Sequence, residues 1–254
     1  MNILNRKVAL ITGALSDIGR ATAQAFARAG YSVVLNYRHH SEQAETMVET
    51  LVRDWQAPHS KAIQADIRYH DEVRFLFEQA YNTYGKLDVL VNNAGVNRDN
   101  SFLEMSEEEW ETVISTILKG SFLCSQEFAR RYRGASGNII NLGAVTGVKG
   151  RKNGANYCSA RAGILALTKC MALELAPKIR VNTVTPGRID TEELRERYQF
   201  DDEHSNSRER YEQDIPLGRM GVPDDVASMI MFLVEKGEYI TGQNFFVDGG
   251  LYMR

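Results

Sequence analysis

The chain of 254 residues is 43% hydrophobic and 25% charged with a formal net charge of -3. This is an ordinary globular balance, and it leaves no excess positive charge to hold nucleic acid or an anionic membrane. Three cysteines, Cys124, Cys158 and Cys170, are odd in number and fall in helical patterns, which favours free thiols over a disulfide framework. No run approaches the ~20 apolar residues that cross a bilayer, and the N-terminus lacks a signal-peptide pattern. The expectation is a soluble cytoplasmic protein.

With no repeat, low-complexity tract or Pro/Ser-rich linker, one domain over 1–254 is the simplest organisation. Short apolar runs at Val8 to Thr12, Ser32 to Tyr37, Ala62 to Asp66, Val89 to Asn92, Asn138 to Leu142, Val181 to Thr185 and Asn244 to Val247 read as strands. Between them, helical patterns start near Ile18, Glu42, Asp71, Glu107, Ala155 and Asp224. Near-continuous apolar strands alternating with helices imply an α/β fold: a doubly wound Rossmann-type domain, its mostly parallel seven-stranded sheet covered on both faces. Ser106 with Glu109 forms a capping-box pattern at the fourth helix, and Pro223 with Asp224 and Asp225 suits the first turn of a late one. From about 191 to 213 the rhythm breaks into a densely charged segment that includes Asp201, Asp202, Glu203 and His204. Placed at the carboxyl ends of the strands it would form a lid over a crevice; a solvated surface insertion is the alternative.

The first strand runs into Thr12-Gly13-Ala14-Leu15-Ser16-Asp17-Ile18-Gly19 and then a helix. A strand, a glycine-rich turn and a helix fit a pyrophosphate seated on a helix N-terminus. The second strand ends at Asn36-Tyr37-Arg38. With no carboxylate there to grip a ribose 2′-hydroxyl, and with Arg38 at hand, NADP is favoured over NAD.

These residues join a longer series: Asp66, Asn92-Asn93-Ala94-Gly95, Tyr157 with Arg161, Pro186-Gly187, then Pro216-Leu217-Gly218-Arg219-Met220-Gly221 and Asp248-Gly249-Gly250. In this order they resemble the short-chain dehydrogenase/reductase family, and within it the 3-oxoacyl-acyl-carrier-protein reductase branch, over essentially the whole chain. The resemblance implies a cofactor set of Gly13, Ser16, Asp17, Ile18, Gly19, Arg38, Asp66, Ile67, Asn93, Ala94, Gly95, Pro186, Gly187 and Ile189. It also implies that Asp66 meets the adenine and that Pro186 to Thr191 pass the nicotinamide end. Asp17 departs from the family's glycine. A carboxylate ~5 Å from a phosphate, at an effective dielectric of about 20, repels it by roughly 3 kcal/mol. That figure corresponds to about a hundredfold in affinity, so impaired cofactor binding is the expectation. In the benign alternative Asp17 turns outward and caps the following helix.

The family's catalytic tetrad is Asn, Ser, Tyr and Lys. The resemblance carries the tyrosine onto Tyr157 and the lysine onto Arg161, one helical turn away on the same face. The serine falls on Ala144 and the asparagine on Ile117, so three of four positions have changed. Arginine keeps a positive charge but cannot give up its proton, and a missing oxyanion donor typically costs ~100- to 1,000-fold in turnover. Five histidines show no metal-ligand spacing.

Three functions remain open from the sequence. One is an atypical NADPH-dependent reductase of 3-oxoacyl thioesters or related ketones working through Tyr157 and Arg161. Another is a catalytically inactive reductase-like subunit that partners an active paralogue or an acyl carrier protein. The third is a cofactor-free lyase similar to the halohydrin dehalogenases, which pair Tyr with Arg but also need the serine. Two basic groups, Arg130, Arg131 and Arg133, then Lys149, Arg151 and Lys152, would suit an acidic carrier protein, or form a solvated face. The segment from Ala155 to Leu175 is rich in small and apolar residues all round, which with the resemblance implies a homo-oligomer, a tetramer or a dimer.

Overall fold

The computed structural model describes residues 6–55, 57, 59–198 and 207–253; the acidic run of Asp201, Asp202, Glu203 and His204 lies outside them. Seven strands form one sheet: β1 (Val8–Ile11), β2 (Ser32–Tyr37), β3 (Lys61–Gln64), β4 (Val89–Asn92), β5 (Gly137–Leu142), β6 (Ile179–Pro186) and β7 (Asn244–Val247). They lie in the order β3-β2-β1-β4-β5-β6-β7, and every pairing is parallel.

The apolar runs are continuous because both faces are covered. Ala9 and Ile11 of β1 pack toward one layer with Phe26, Ile230 and Leu233. Val8 and Leu10 pack toward the other with Phe77, Phe128 and Leu76. The first layer is built by α1 (Asp17–Arg28), α2 (Ser41–Trp55) and α10 (Pro223–Glu235), and the second by α3 (His70–Tyr84), α5 (Gly120–Arg131) and α7 (Ala155–Leu175). This is the doubly wound arrangement the alternation implied, and all its described strand pairs are parallel rather than mostly so.

Element ends differ from the sequence expectation by at most two residues. β3 stops at Gln64 rather than Asp66, and β6 spans Ile179–Pro186. The Ser106–Glu109 capping box is present: Ser106 Oγ accepts from Glu109 N at 3.2 Å and Glu109 accepts from Ser106 N at 2.7 Å. The helix it opens, α4 (Glu107–Ile114), runs into α5 through one π-helical turn, Ser115–Lys119. Inserting that turn disturbs the ladder, and Ser121 Oγ donates to the carbonyl of Ile117 at 2.6 Å. Three short helices add to those read from the sequence: α6 (Thr146–Lys149), α8 (Glu192–Tyr198) and α9 (Ser207–Gln213). The latter two give the charged insertion helical ends.

β1 is flanked by β2 on one side and β4 on the other, so the order in which strands are added to the sheet reverses at β1. In such a sheet the crevice opens at the carboxyl ends on either side of that point, and it does so here.

Candidate functional site

A cavity of about 680 Å³ lies along the carboxyl edge of the sheet. The loop after β1 supplies one wall. Gly13 has φ 59°, and a Cβ there would lie 2.7 Å from Ala94 Cα, so only glycine permits this approach to the loop after β4. Asn93 ties the two loops together. Its Nδ2 donates to the carbonyls of Thr12 at 2.9 Å and Gly13 at 2.8 Å, and to Ser16 Oγ at 3.1 Å. Thr12 Oγ1 accepts the amides of Asn93 and Ala94 in return. Gly13, Ser16, Asp17 and Ile18 therefore share the cavity wall with Asn93, Ala94 and Gly95. Gly19 stands behind this wall, where a Cβ would lie 2.6 Å from the Gly13 carbonyl oxygen.

Helix capping at this loop is done by Ser16, whose Oγ accepts from Gly19 N at 3.2 Å. Asp17 is the first residue of α1, and its Oδ2 accepts from Glu192 N at 2.7 Å. This corrects the alternative in which an outward Asp17 caps its own helix. The serine one position earlier holds that place, and the carboxylate reaches across to α8.

At the β2 end the cavity is lined by Arg38, and at the β3 end by Asp66 and Ile67. Arg38 has no ion pair among the described residues, whereas Asp66 is held by Arg68 through Nη2 at 2.6 Å and Nε at 3.0 Å. Burial would raise the Asp66 carboxyl. The Arg68 hydrogen bonds, with the Arg38 charge beyond them, outweigh it and hold the group below the usual carboxylate range.

Tyr157 and Arg161 both line the cavity from α7. The guanidinium carbon of Arg161 lies 5.2 Å from the centre of the Tyr157 ring. Arg161 is buried, donates from Nη1 to the Leu142 carbonyl at 2.5 Å, and leaves Nε without a partner among the described residues. A second guanidinium, that of Arg151, lies 5.1 Å from the same ring. It is fixed by Asp99, with 2.5 and 2.6 Å contacts, and by Asn97 Oδ1 at 2.9 Å. The start of α7 is anchored by Asn156, which is fully buried and donates to the carbonyls of Arg98 at 2.7 Å and Glu109 at 3.2 Å. Its Oδ1 accepts the Tyr157 amide at 2.7 Å. No sequence pattern marks Asn156 or the Arg151–Asp99 pair.

Ala144 lines the cavity, as does the next hydroxyl along the chain, Thr146. Ile117 does not. It is fully buried in an apolar cluster with Val113, Ala160 and Ile164, against which Tyr157 packs. Pro186, Gly187 and Ile189 close the far wall after β6, and α8 stands over the opening with Glu192, Glu193 and Arg197. Of the two basic groups, Arg131 pairs with Glu127 and Glu78, Arg133 donates to the carbonyls of Arg130 and Tyr132, and Arg151 is spent on Asp99. No cluster of three or more metal-ligating side chains occurs among the described residues, and no described helix is long and apolar enough to cross a membrane.

Residues 13–252 match the protein family described as enoyl-(acyl carrier protein) reductase. The chain belongs to the short-chain dehydrogenase/reductase family. It is 42% identical to 3-oxoacyl-(acyl-carrier-protein) reductase FabG of Staphylococcus aureus over 250 residues, 97% of this chain and 98% of the relative. It is 40% identical to the 3-oxoacyl-(acyl-carrier-protein) reductase of Synechocystis over the full length of both. Among solved structures, an actinorhodin polyketide ketoreductase variant with NADPH superposes with TM-score 0.90 at 31% identity, covering 99% of each chain. A short-chain dehydrogenase/reductase from Brucella melitensis superposes with TM-score 0.88 at 28% identity over all of both chains. The family and the doubly wound fold implied by the motifs are therefore established for this chain.

Proposed function

We propose that this short-chain oxidoreductase is an atypical NADPH-dependent reductase of 3-oxoacyl thioesters or related ketones. The observation that carries the reading is the pairing of Tyr157 and Arg161 in the same cavity as the glycine loop. The residues of the cleft fit a dinucleotide. Gly13 lets the loop after β1 close against Ala94 and Gly19 lets α1 begin directly behind it, Arg38 has no ion pair among the described residues and stands beside β2 for a 2′-phosphate, and Asp66 and Ile67 line the same cavity for the adenine. When bound, NADPH supplies a hydride to the substrate carbonyl carbon. Tyr157 gives its phenolic proton to the carbonyl oxygen, and no described group hydrogen-bonds its hydroxyl. The Arg161 guanidinium is placed to stabilise charge beside Tyr157. Ala144 offers no donor; the Thr146 hydroxyl lines the same cavity.

The relatives' named substrates favour an acyl thioester on an acyl carrier protein. Of the two basic groups, Arg130, Arg133, Lys149 and Lys152 are without an ion pair among the described residues and so free to meet an acidic carrier. Exposed Leu173 on α7, with Phe122 on α5, supports pairing with a second copy. The test is loss of NADPH absorbance with a 3-oxoacyl thioester. Wild type turns over slowly and Tyr157→Phe abolishes the activity; equal rates in both would overturn the reading.

A second reading is a catalytically inactive subunit beside an active paralogue. The sealing of Ile117 in an apolar cluster favours it, because nothing polar remains where the family's asparagine stands. Wild type without turnover, recovered from its own cells with an active reductase, would select it.

A further inference from the structure

Asp17 stands where the family's glycine loop has no side chain, and its carboxylate is not idle. Its Oδ2 accepts the amide of Glu192 at 2.7 Å, across 175 positions of sequence. Glu192 opens α8, and the first amides of a helix have no partner inside it. The same helix is tied down on the opposite side of the crevice. Asn97, in the loop after β4, donates from Nδ2 to Glu193 Oε1 at 2.7 Å. Asp99 in the same loop lies 3.7 Å from Arg197 Nη1 and is itself gripped by Arg151. α8 thus spans the mouth from the loop after β1 to the loop after β4, the two loops that border the reversal point of the sheet. Arg195, one turn along, pairs with Asp190 at 2.7 Å and fixes the root of the helix.

We infer that Asp17 is a built-in latch: a tethered anion that holds α8 closed over the glycine loop and that an incoming dinucleotide phosphate has to displace. The inference rests on the reductase reading for its ligand, and on the observed contact for the latch itself. A phosphate seated on this loop at the N-terminus of α1 would lie beside the Asp17 carboxylate that α8 holds. Asp17 has no ion pair of its own among the described residues, and the residue whose amide it takes, Glu192, carries a second carboxylate. Charge at this end of the cleft therefore opposes a phosphate until the latch opens. Simple repulsion and latching differ in what they do to α8. Repulsion weakens the cofactor and leaves the helix alone, whereas a latch also orders the helix in the empty protein.

The experiment is residue-resolved amide hydrogen exchange over 190–198 together with NADPH titration, on the full chain of wild type, Asp17→Asn and Asp17→Gly. Asparagine keeps an acceptor oxygen without the charge; glycine removes both. Glu192 amide exchange is expected to quicken on the order of tenfold in Asp17→Gly, the scale of one lost hydrogen bond, and less in Asp17→Asn. NADPH affinity is expected to rise in the same order. Unchanged Glu192 exchange in Asp17→Gly, with its fold intact by circular dichroism, would overturn the latch. So would equal tightening of NADPH by both substitutions, which is the signature of charge alone. Faster exchange with no NADPH binding by any of the three proteins supports the latch and instead removes the cofactor reading under Proposed function.

Discussion

The guanidinium of Arg161 rests against the bare backbone of Gly95: a Cβ on that glycine would lie 2.6 Å from Arg161 Nη2. Lysine at 161 would have no group there, so the arginine depends on the glycine. Gly95→Ala is expected to cost about 1–3 kcal/mol, the usual range for overpacking a filled site. Combined with Arg161→Lys it should cost clearly less than the sum of the two single changes. Urea midpoints of the four proteins measure this coupling. Strict additivity would show that the two residues do not compete for space.

Ile117 fixes how far the family's tetrad can be rebuilt. It is fully buried among Val113, Ala160 and Ile164, inside the π-helical turn, and its carbonyl accepts the Ser121 hydroxyl. Replacing it with asparagine removes apolar packing and buries an amide with no partner in that cluster. The expected loss is about 2–4 kcal/mol, against less than about 1.5 kcal/mol for Ile117→Val. Thermal melts of the two variants compare them directly. A triple change to Ser, Asn and Lys at 144, 117 and 161 will then read low in activity partly through instability, so turnover has to be normalised to folded protein.

How much of this was readable beforehand follows from the range of each interaction. β1 and β4 were plain as short runs of apolar residues, because a strand covered on both faces has nowhere to place a polar one. The Ser106 capping box was plain because its partners are three residues apart. The π turn at Ser115–Lys119 was not: the apolar spacing runs through it, and the hydroxyl that serves its carbonyl, Ser121, is an unremarkable helix residue in sequence. Arg151 looked like part of a solvated basic run because its partner Asp99 is 52 residues away. Asp17 stands out in the sequence on conformational and charge grounds, but its partner is a backbone amide that no sequence pattern marks.

Asn93 should behave as a clamp rather than as a surface polar residue. One amide group serves Thr12, Gly13 and Ser16 together, so Asn93→Ala leaves two carbonyls and the capping serine without that donor. A stability loss of about 1–3 kcal/mol is expected. Loosening of the glycine loop should also appear as faster proteolysis or exchange between residues 13 and 19. Asn93→Asp is the sharper control, since it keeps the shape but turns a donor into an acceptor facing two carbonyls. It should be the worse of the two, and a milder effect than alanine would refute the clamp.

Acid should loosen the roof of the cleft through Asp190. A hydrogen bond from Arg195, working against burial and joined by the charge and hydrogen bond of Arg208, holds this carboxyl below its usual range. A group whose folded value is depressed favours the charged form in the folded state. Its contribution is therefore complete above the ordinary carboxylate range and disappears as pH falls through the lowered folded value. Both arginines are about half exposed, so the contribution at neutral pH is discounted to about 1 kcal/mol. Wild type should exceed Asp190→Asn by that amount near neutrality, and the difference should shrink toward zero in strong acid. Urea unfolding of both proteins across the acid range follows it. A difference that stays constant with pH would mean that Asp190 acts through packing, and that the ends of α8 and α9 do not depend on its charge.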